Sequence, residues 1–190
     1  MERVPSFTRS EFSCRDVGDR YASSRLGGRF AVCHATPGTV IDESGVTAFS
    51  ATDPSFAFYQ TAQSTRVILS GMTLTQTGTV AGDDIGIAIV IDTTNRYSAG
   101  GTLVTPQPMD GGQSGAANVS FRTQPTLAAA GTTHRTVFHA GATEAIGTVS
   151  SFCFGDGIMI AGTGTIAIYT WAATTGPQWY FDFEIIEETV

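Results

Sequence analysis

Two segments of this chain alternate apolar and polar positions without a break. In one, Trp179, Phe181, Phe183 and Ile185 fall on one face, and Tyr180, Asp182 and Glu184 on the other. In the second, Ile85, Ile87, Ile89 and Ile91 share a face opposite Gly86, Ala88 and Val90. Side chains of a strand point alternately to its two faces, so a period of two predicts strand. Short apolar stretches at 30–34, 46–51, 56–61, 65–75, 84–92, 102–105, 117–123, 134–140, 147–154, 158–171 and 178–187 complete a set of candidate strands. Arg66 to Thr75 and Gly164 to Trp171 are long and β-branched enough to be central strands.

Turn residues separate these stretches: Ala81-Gly82-Asp83-Asp84, Thr94-Asn95, Gly100-Gly101, Asp110-Gly111-Gly112, Asp156-Gly157 and Gly176-Pro177. Leu127 to Gly131 has room for one turn of helix, and no stretch beyond residue 30 supports three turns. Residues 105–118 have little to pack and read as a long exposed loop. Many short strands without intervening helices predict an all-β, antiparallel β-sandwich, jelly-roll-like, with eight core strands and extra edge strands. Residues 1–29 show no sustained period and read as an extended N-terminal arm, leaving 30–190 as the sandwich domain.

Charge divides the chain at the same place. There is no lysine, and six of the ten arginines (Arg3, Arg9, Arg15, Arg20, Arg25 and Arg29) lie in the arm. The arm is net +2, whereas residues 30–190 carry four arginines against thirteen acids. Such a body repels nucleic acid and anionic membrane, so neither is an expected partner, while the arm can dock on an acidic surface. The longest apolar run, Ile85 to Ile91, is too short to span a bilayer. No secretory signal is expected either, because the first 25 residues are broken by charges. The three cysteines, Cys14, Cys33 and Cys153, form no CxxC and no even set, which argues against a disulfide framework and suits a reducing compartment.

Candidate chemistry is sparse. Cys33-His34 are adjacent and His134 and His139 are five apart, so neither pair shares a strand face as metal ligands must. Asp42-Glu43 and Asp83-Asp84 read as solvated loop acids. Ser114 with His134 or His139 composes a triad only on paper, because the GxSxG nucleophile motif is absent. No phosphate-binding glycine loop occurs. The expectation is therefore no catalytic residue, no metal and no cofactor. Among the aromatics, Trp179, Phe181 and Phe183 read as core, while Tyr169, Trp171 and Tyr180 are candidates for a subunit interface, with burial in the chain's own core as their alternative.

The C-terminal half also carries a loose pattern. It runs from Arg96-Tyr97-Ser98-Ala99-Gly100-Gly101-Thr102 and Thr105-Pro106, through Gly155-Asp156-Gly157-Ile158-Met159-Ile160, to Gly162-Thr163-Gly164-Thr165-Ile166-Ala167-Ile168-Tyr169-Thr170-Trp171-Ala172. It ends with Pro177-Gln178-Trp179-Tyr180-Phe181-Asp182-Phe183-Glu184. Over residues 90–188 this order resembles small structural proteins encoded among the head genes of tailed bacteriophages, which decorate or cement the capsid. The resemblance implies a self-associating sandwich, often a homotrimer, made in the host cytoplasm and attached to the major capsid protein at the virion surface. The arm arginines would then make the shell contact. The alternative is a receptor- or glycan-binding fibre or tail module, reading a host-surface glycan with the 105–115 loop and exposed aromatics.

Overall fold

The computed structural model describes residues 28–61, 64–77, 80–81, 85–109, 117–139, 143–144 and 149–189; at 80–81, 133–139, 143–144 and 155–156 it describes the backbone alone. Every element among the described residues is a strand. They are β1 (Arg29–Cys33), β2 (Ile41–Asp42), β3 (Phe56–Gln60), β4 (Thr65–Gln76), β5 (Val80–Ala81), β6 (Ile85–Asp92) and β7 (Tyr97–Val104). Then follow β8 (Gln107–Pro108), β9 (Ser120–Leu127), β10 (Thr132–His139), β11 (Thr143–Glu144), β12 (Val149–Ala161), β13 (Gly164–Ala172) and β14 (Gln178–Thr189).

The strands form two antiparallel sheets. The first has the order β12-β4-β14-β1-β8, with β2 also on β14; the second has β10-β6-β13-β3-β9-β7; β11 and β5 make a separate pair. Without the short strands and the β7–β9 insert, the two sheets read β12-β4-β14-β1 and β10-β6-β13-β3. The last strand thus lies between the first and β4, and the chain passes repeatedly from one sheet to the other. This is the strand order of a jelly roll, and β7 and β9 extend its second sheet beyond β3.

The inward faces meet in one apolar core. Val32, Leu69, Leu74, Phe181, Phe183 and Ile185 come from the first sheet, and Phe56, Phe58, Ile87, Ile89, Phe121 and Ile168 from the second. Its centre is aromatic: Phe58 and Phe121 lie 4.5 Å apart by ring centroids, Phe56 and Phe183 5.0 Å. Such tilted and edge-on pairs add about 0.5–1.5 kcal/mol each beyond area burial.

Several expectations need correction. Residues 46–51 are not a strand, and 158–171 is a hairpin of β12 and β13 rather than one element. Asp156-Gly157 and Gly100-Gly101 lie inside β12 and β7, where the first marks a shift of register between Cys153 and Ile158. Glycine at positive φ (Gly157 at 86°) permits a bulge as readily as a turn, and the sequence cannot separate the two. Leu127 ends β9 and begins no helical turn. The expected 105–118 loop is partly strand, since Gln107–Pro108 pairs with β1, and residues 110–116 lie outside the described residues. Strand structure already starts at Arg29. Finally, Cys153 is disulfide-bonded, while Cys33 is free and exposed. An odd number of cysteines excludes a complete set of bridges, not a single one.

Candidate interaction surfaces

The register of the first sheet builds its outer face in rows running from β1 across β14 and β4 to β12. Cys33, Asp182, Thr73 and Ser151 form one row; Ala31, Glu184, Gly71 and Cys153 the next; Arg29, Ile186, Ile68 and Met159 the third. Arg29 reaches Glu184 at 2.7 Å, with 13 % of its side chain exposed. Asp182 touches solvent, yet burial in the sheet surface and then the Glu184 charge push its carboxyl above the ordinary range. The third row is unlike the others. Ile68 and Ile186 are 1 % and 3 % exposed although they point away from the core, and they belong to neither apolar cluster of described residues.

The second sheet's outer face is roofed. Ala57, Ala88, Val90, Leu127, Ala167 and Tyr169 form a second apolar cluster there, with Trp171 packed against it. The segment after β2 covers it. Ala172 N–H donates to the Val46 carbonyl, Leu127 N–H to Thr52 and the Tyr169 hydroxyl to Ala51, at 3.3, 2.7 and 2.9 Å. Phe49 lays its ring 4.7 Å from Tyr169 and 5.8 Å from Trp171. Tyr169 is therefore buried within its own chain, Trp171 is half-buried beneath Phe49, and of the three expected interface aromatics Tyr180 alone is well exposed, at 41 %.

Beyond the roof, Arg122 ties the β7–β9 edge together. Its guanidinium donates to the Tyr59 hydroxyl and to the carbonyls of Gly100 and Gly101, and lies over the Tyr97 ring, which itself stacks on Tyr59 at 4.5 Å. Beside it β7 ends the sheet on the side away from β10, with no further strand paired to it among the described residues; Ser98 to Leu103 are exposed and carry no charge.

Several acids of the described residues are held singly by the structure around them rather than gathered around a cleft. Glu43, expected to be solvated, is 4 % exposed, its Oε1 is buried without a hydrogen-bond partner, and burial pushes its carboxyl up to about 7, opposed by the nearby Gln124 and Ser55 side chains. Ser55 in turn bonds Thr170, whose hydroxyl accepts the Trp179 indole N–H at 3.0 Å. An open cleft of about 400 Å³ between the sheets is lined by Ile91, Asp92, Thr132, Met159 and Thr163. Its one carboxylate, Asp92, already accepts from Arg96 and from Thr94 N–H, which hold its carboxyl below the ordinary range despite partial burial. His34 Nδ1 accepts from Thr36 N–H, and no metal-binding cluster occurs among the described residues.

Of the arm arginines, Arg29 is spent on Glu184. Arg3, Arg9, Arg15, Arg20 and Arg25, with Ser114, lie outside the described residues, as do the side chains of His134 and His139. Sequence reasoning missed Glu43, whose burial no pattern signals. It also missed the roof, for which the apolar Gly86-Ala88-Val90 face of β6 was a usable clue. No protein-family model, no curated protein and no solved structure matches the chain.

Proposed function

We propose that this protein is a non-enzymatic virion structural part: a capsid decoration or cement protein that self-associates, as a trimer, and docks on the major capsid protein. The observation that carries this reading is the β7 edge. A strand edge offers backbone N–H and C=O groups to another chain, although on β7 the Gly100 and Gly101 carbonyls are already taken by Arg122, and proteins that stay apart usually place charge there. On a chain of net charge −7, the run from Ser98 to Leu103 is a stretch where a second copy meets no like charge. Leu103, 56 % exposed, adds apolar area to that contact. The jelly roll suits the reading too, since such sandwiches recur as shell-forming modules.

The glycan-binding alternative finds less support, because Tyr59, Tyr97, Tyr169 and Trp171 spend their ring faces on one another, on Phe49 and on Arg122. The test combines light scattering of the full chain with co-sedimentation on purified phage heads. A mass near three chains, lowered by Leu103→Glu, with saturable binding to heads, is the expected result. A monomer that ignores both the substitution and the heads overturns the proposal.

A further inference from the structure

We propose that the β7–β9 edge of one copy docks on the outer face of the first sheet of the next, with Arg122 pairing to Asp182 and Leu103 resting on Tyr180. This rests on the self-association proposed above and names the surface that the edge meets.

Symmetry requires such a surface. An edge that meets its own counterpart is self-complementary, so it joins two copies and stops. A ring of three needs a head-to-tail contact, in which the β7 edge of each copy meets a different patch on its neighbour.

Two unanswered charges identify the patches. Among arginines whose side chains are described, Arg29, Arg66 and Arg96 each meet a carboxylate, at 2.7, 3.3 and 2.9 Å. Arg122 meets none. Its Nε donates to the Tyr59 hydroxyl and its Nη1 to the carbonyls of Gly100 and Gly101, which leaves Nη2 open to solvent without an acceptor. Those bonds and the Tyr97 ring fix the guanidinium in place, so little rotamer freedom is lost when an anion arrives. Among acids whose side chains are described, Asp182 is the exposed one that accepts no hydrogen bond. Asp42 and Asp53 bond within their own loops, and Glu184, Glu187 and Glu188 are held by Arg29, Val119 and Arg66. Burial and then the Glu184 charge hold the Asp182 carboxyl above the ordinary range, and a guanidinium arriving there offsets that like charge.

Each charge has an exposed apolar neighbour on its own side of the sheet. Leu103, 56 % exposed, is the cross-strand partner of Arg122, about 5 Å away. Tyr180, 41 % exposed, stands two residues before Asp182 on β14, about 7 Å away. The two patches thus match in kind and nearly in spacing, cation to anion and leucine to ring. On a chain of net charge −7 most approaches of two copies bring like charges together, and the uncharged β7 strand carries Arg122 past that repulsion.

Cys33 supplies the reporter, because it is free, exposed and paired in register with Asp182. Leu103→Cys puts a second thiol on the opposite patch. After air oxidation of the full chain, a non-reducing gel should show linked dimers and trimers, and their disulfide map should join position 103 to Cys33. Adding Cys33→Ser should abolish the ladder. Light scattering over a concentration series then follows Asp182→Arg and Arg122→Glu. Each should raise the dissociation constant at least about tenfold, and the double variant should recover part of the loss. Should Arg122→Glu unfold the edge, Asp182→Arg and the disulfide map decide without it. Position 103 linked to itself and never to Cys33 overturns this docking and leaves self-association standing. So does an Asp182→Arg protein as trimeric as the wild type while Leu103→Glu dissociates. Asp182→Arg that stays trimeric but no longer binds phage heads gives the face to the shell and overturns the docking too. A wild-type monomer at every concentration overturns both readings.

Discussion

The two sheets of this sandwich treat their outer faces in opposite ways. The second sheet buries its outer face under the segment 46–53, which docks Phe49 on Tyr169 and Trp171 and hangs from backbone bonds to Leu127 and Ala172. The first presents rows of small and acidic side chains, Ala31, Gly71, Thr73, Asp182 and Glu184, interrupted by the covered pair Ile68 and Ile186. A sheet with two apolar faces is committed to packing on both sides; one with a polar outer face keeps a surface that can be used or exchanged. The difference appears most sharply at two glycines. Gly86 lies beneath the Trp171 ring, so that a Cβ there would meet ring carbons at 2.2 Å. Gly71 lies beside Glu184, where a Cβ finds ordinary contacts at 3.6 Å.

The same substitution should therefore separate the faces. Gly86→Ala forces Trp171 off the sheet and disturbs the roof, and overpacking of this kind costs about 1–3 kcal/mol or more. Gly71→Ala should be neutral, or stabilising by up to about 1 kcal/mol, because alanine narrows the unfolded ensemble and suits a strand better than glycine. Chemical denaturation of both variants checks this. Equal losses would mean that the first sheet is packed as tightly outside as the second.

Much of this architecture was legible in the sequence, and the illegible parts have definite causes. β14 and β6 announced themselves because Phe181, Phe183, Ile87 and Ile89 recur at every second position. The outer roof was harder. Residues 46–51 have the composition of a strand, but Phe49 packs down onto another strand's face, which only tertiary contact decides. Gly86 within an isoleucine run did carry a signal, since an isolated strand glycine often marks close approach. Ile186 continues the Tyr180-Asp182-Glu184 face and so breaks its polarity, a hint of a covered spot within that row. Which residues sit beside it depends on an extra residue near Ser70 that shifts β4 against β14, and no periodicity reveals such a shift. Glu43 gave no sign at all: it neighbours Asp42, which stays exposed, its carboxyl lowered by Ser44.

Glu43 sits at the root of the roof, and its titration sharpens the contrast with the exposed acid of the other face. Its carboxyl is pushed from an ordinary 4.5 to about 7 by burial, with a smaller push from the Asp42 charge and the nearby Gln124 and Ser55 side chains opposing. The folded state therefore binds the proton more tightly than the unfolded chain. Its contribution is undiminished below pH 4.5, falls as pH rises from there to about 7, and stays low above. At 1.36 kcal/mol per pKa unit the penalty is about 3 kcal/mol, an upper figure for a site with some access to water. Glu43→Gln should match the wild type at pH 4 and exceed it at pH 8. Thermal melts would show about 2–4 °C per kcal/mol for a chain this size. Asp182→Asn, on the accessible face, should change the pH profile far less. If Glu43→Gln instead loses stability at pH 8, the carboxylate is solvated or paired and the roof is not closed over it.

Phe49 offers the smallest and most selective test of the roof itself. Its ring is 44 % exposed, so a count of buried area assigns it little, yet it touches both Tyr169 and Trp171. Aromatic pairs of this geometry contribute about 0.5–1.5 kcal/mol each beyond burial. Phe49→Ala should thus cost roughly 1–2 kcal/mol, well below a core phenylalanine such as Phe183, whose removal costs about 3–5 kcal/mol. It should also brighten or shift the Trp171 fluorescence, while Trp179, buried and hydrogen-bonded to Thr170, stays unchanged. Tyr180→Ala, equally exposed on the first sheet, is the matched control. Its hydroxyl makes one long bond to the Gly38 carbonyl at 3.4 Å, and its loss should stay within about 0.5 kcal/mol. Were the two substitutions to cost the same, the roof would be no more than a loop lying near the sheet, and both outer faces would be equally open to a partner.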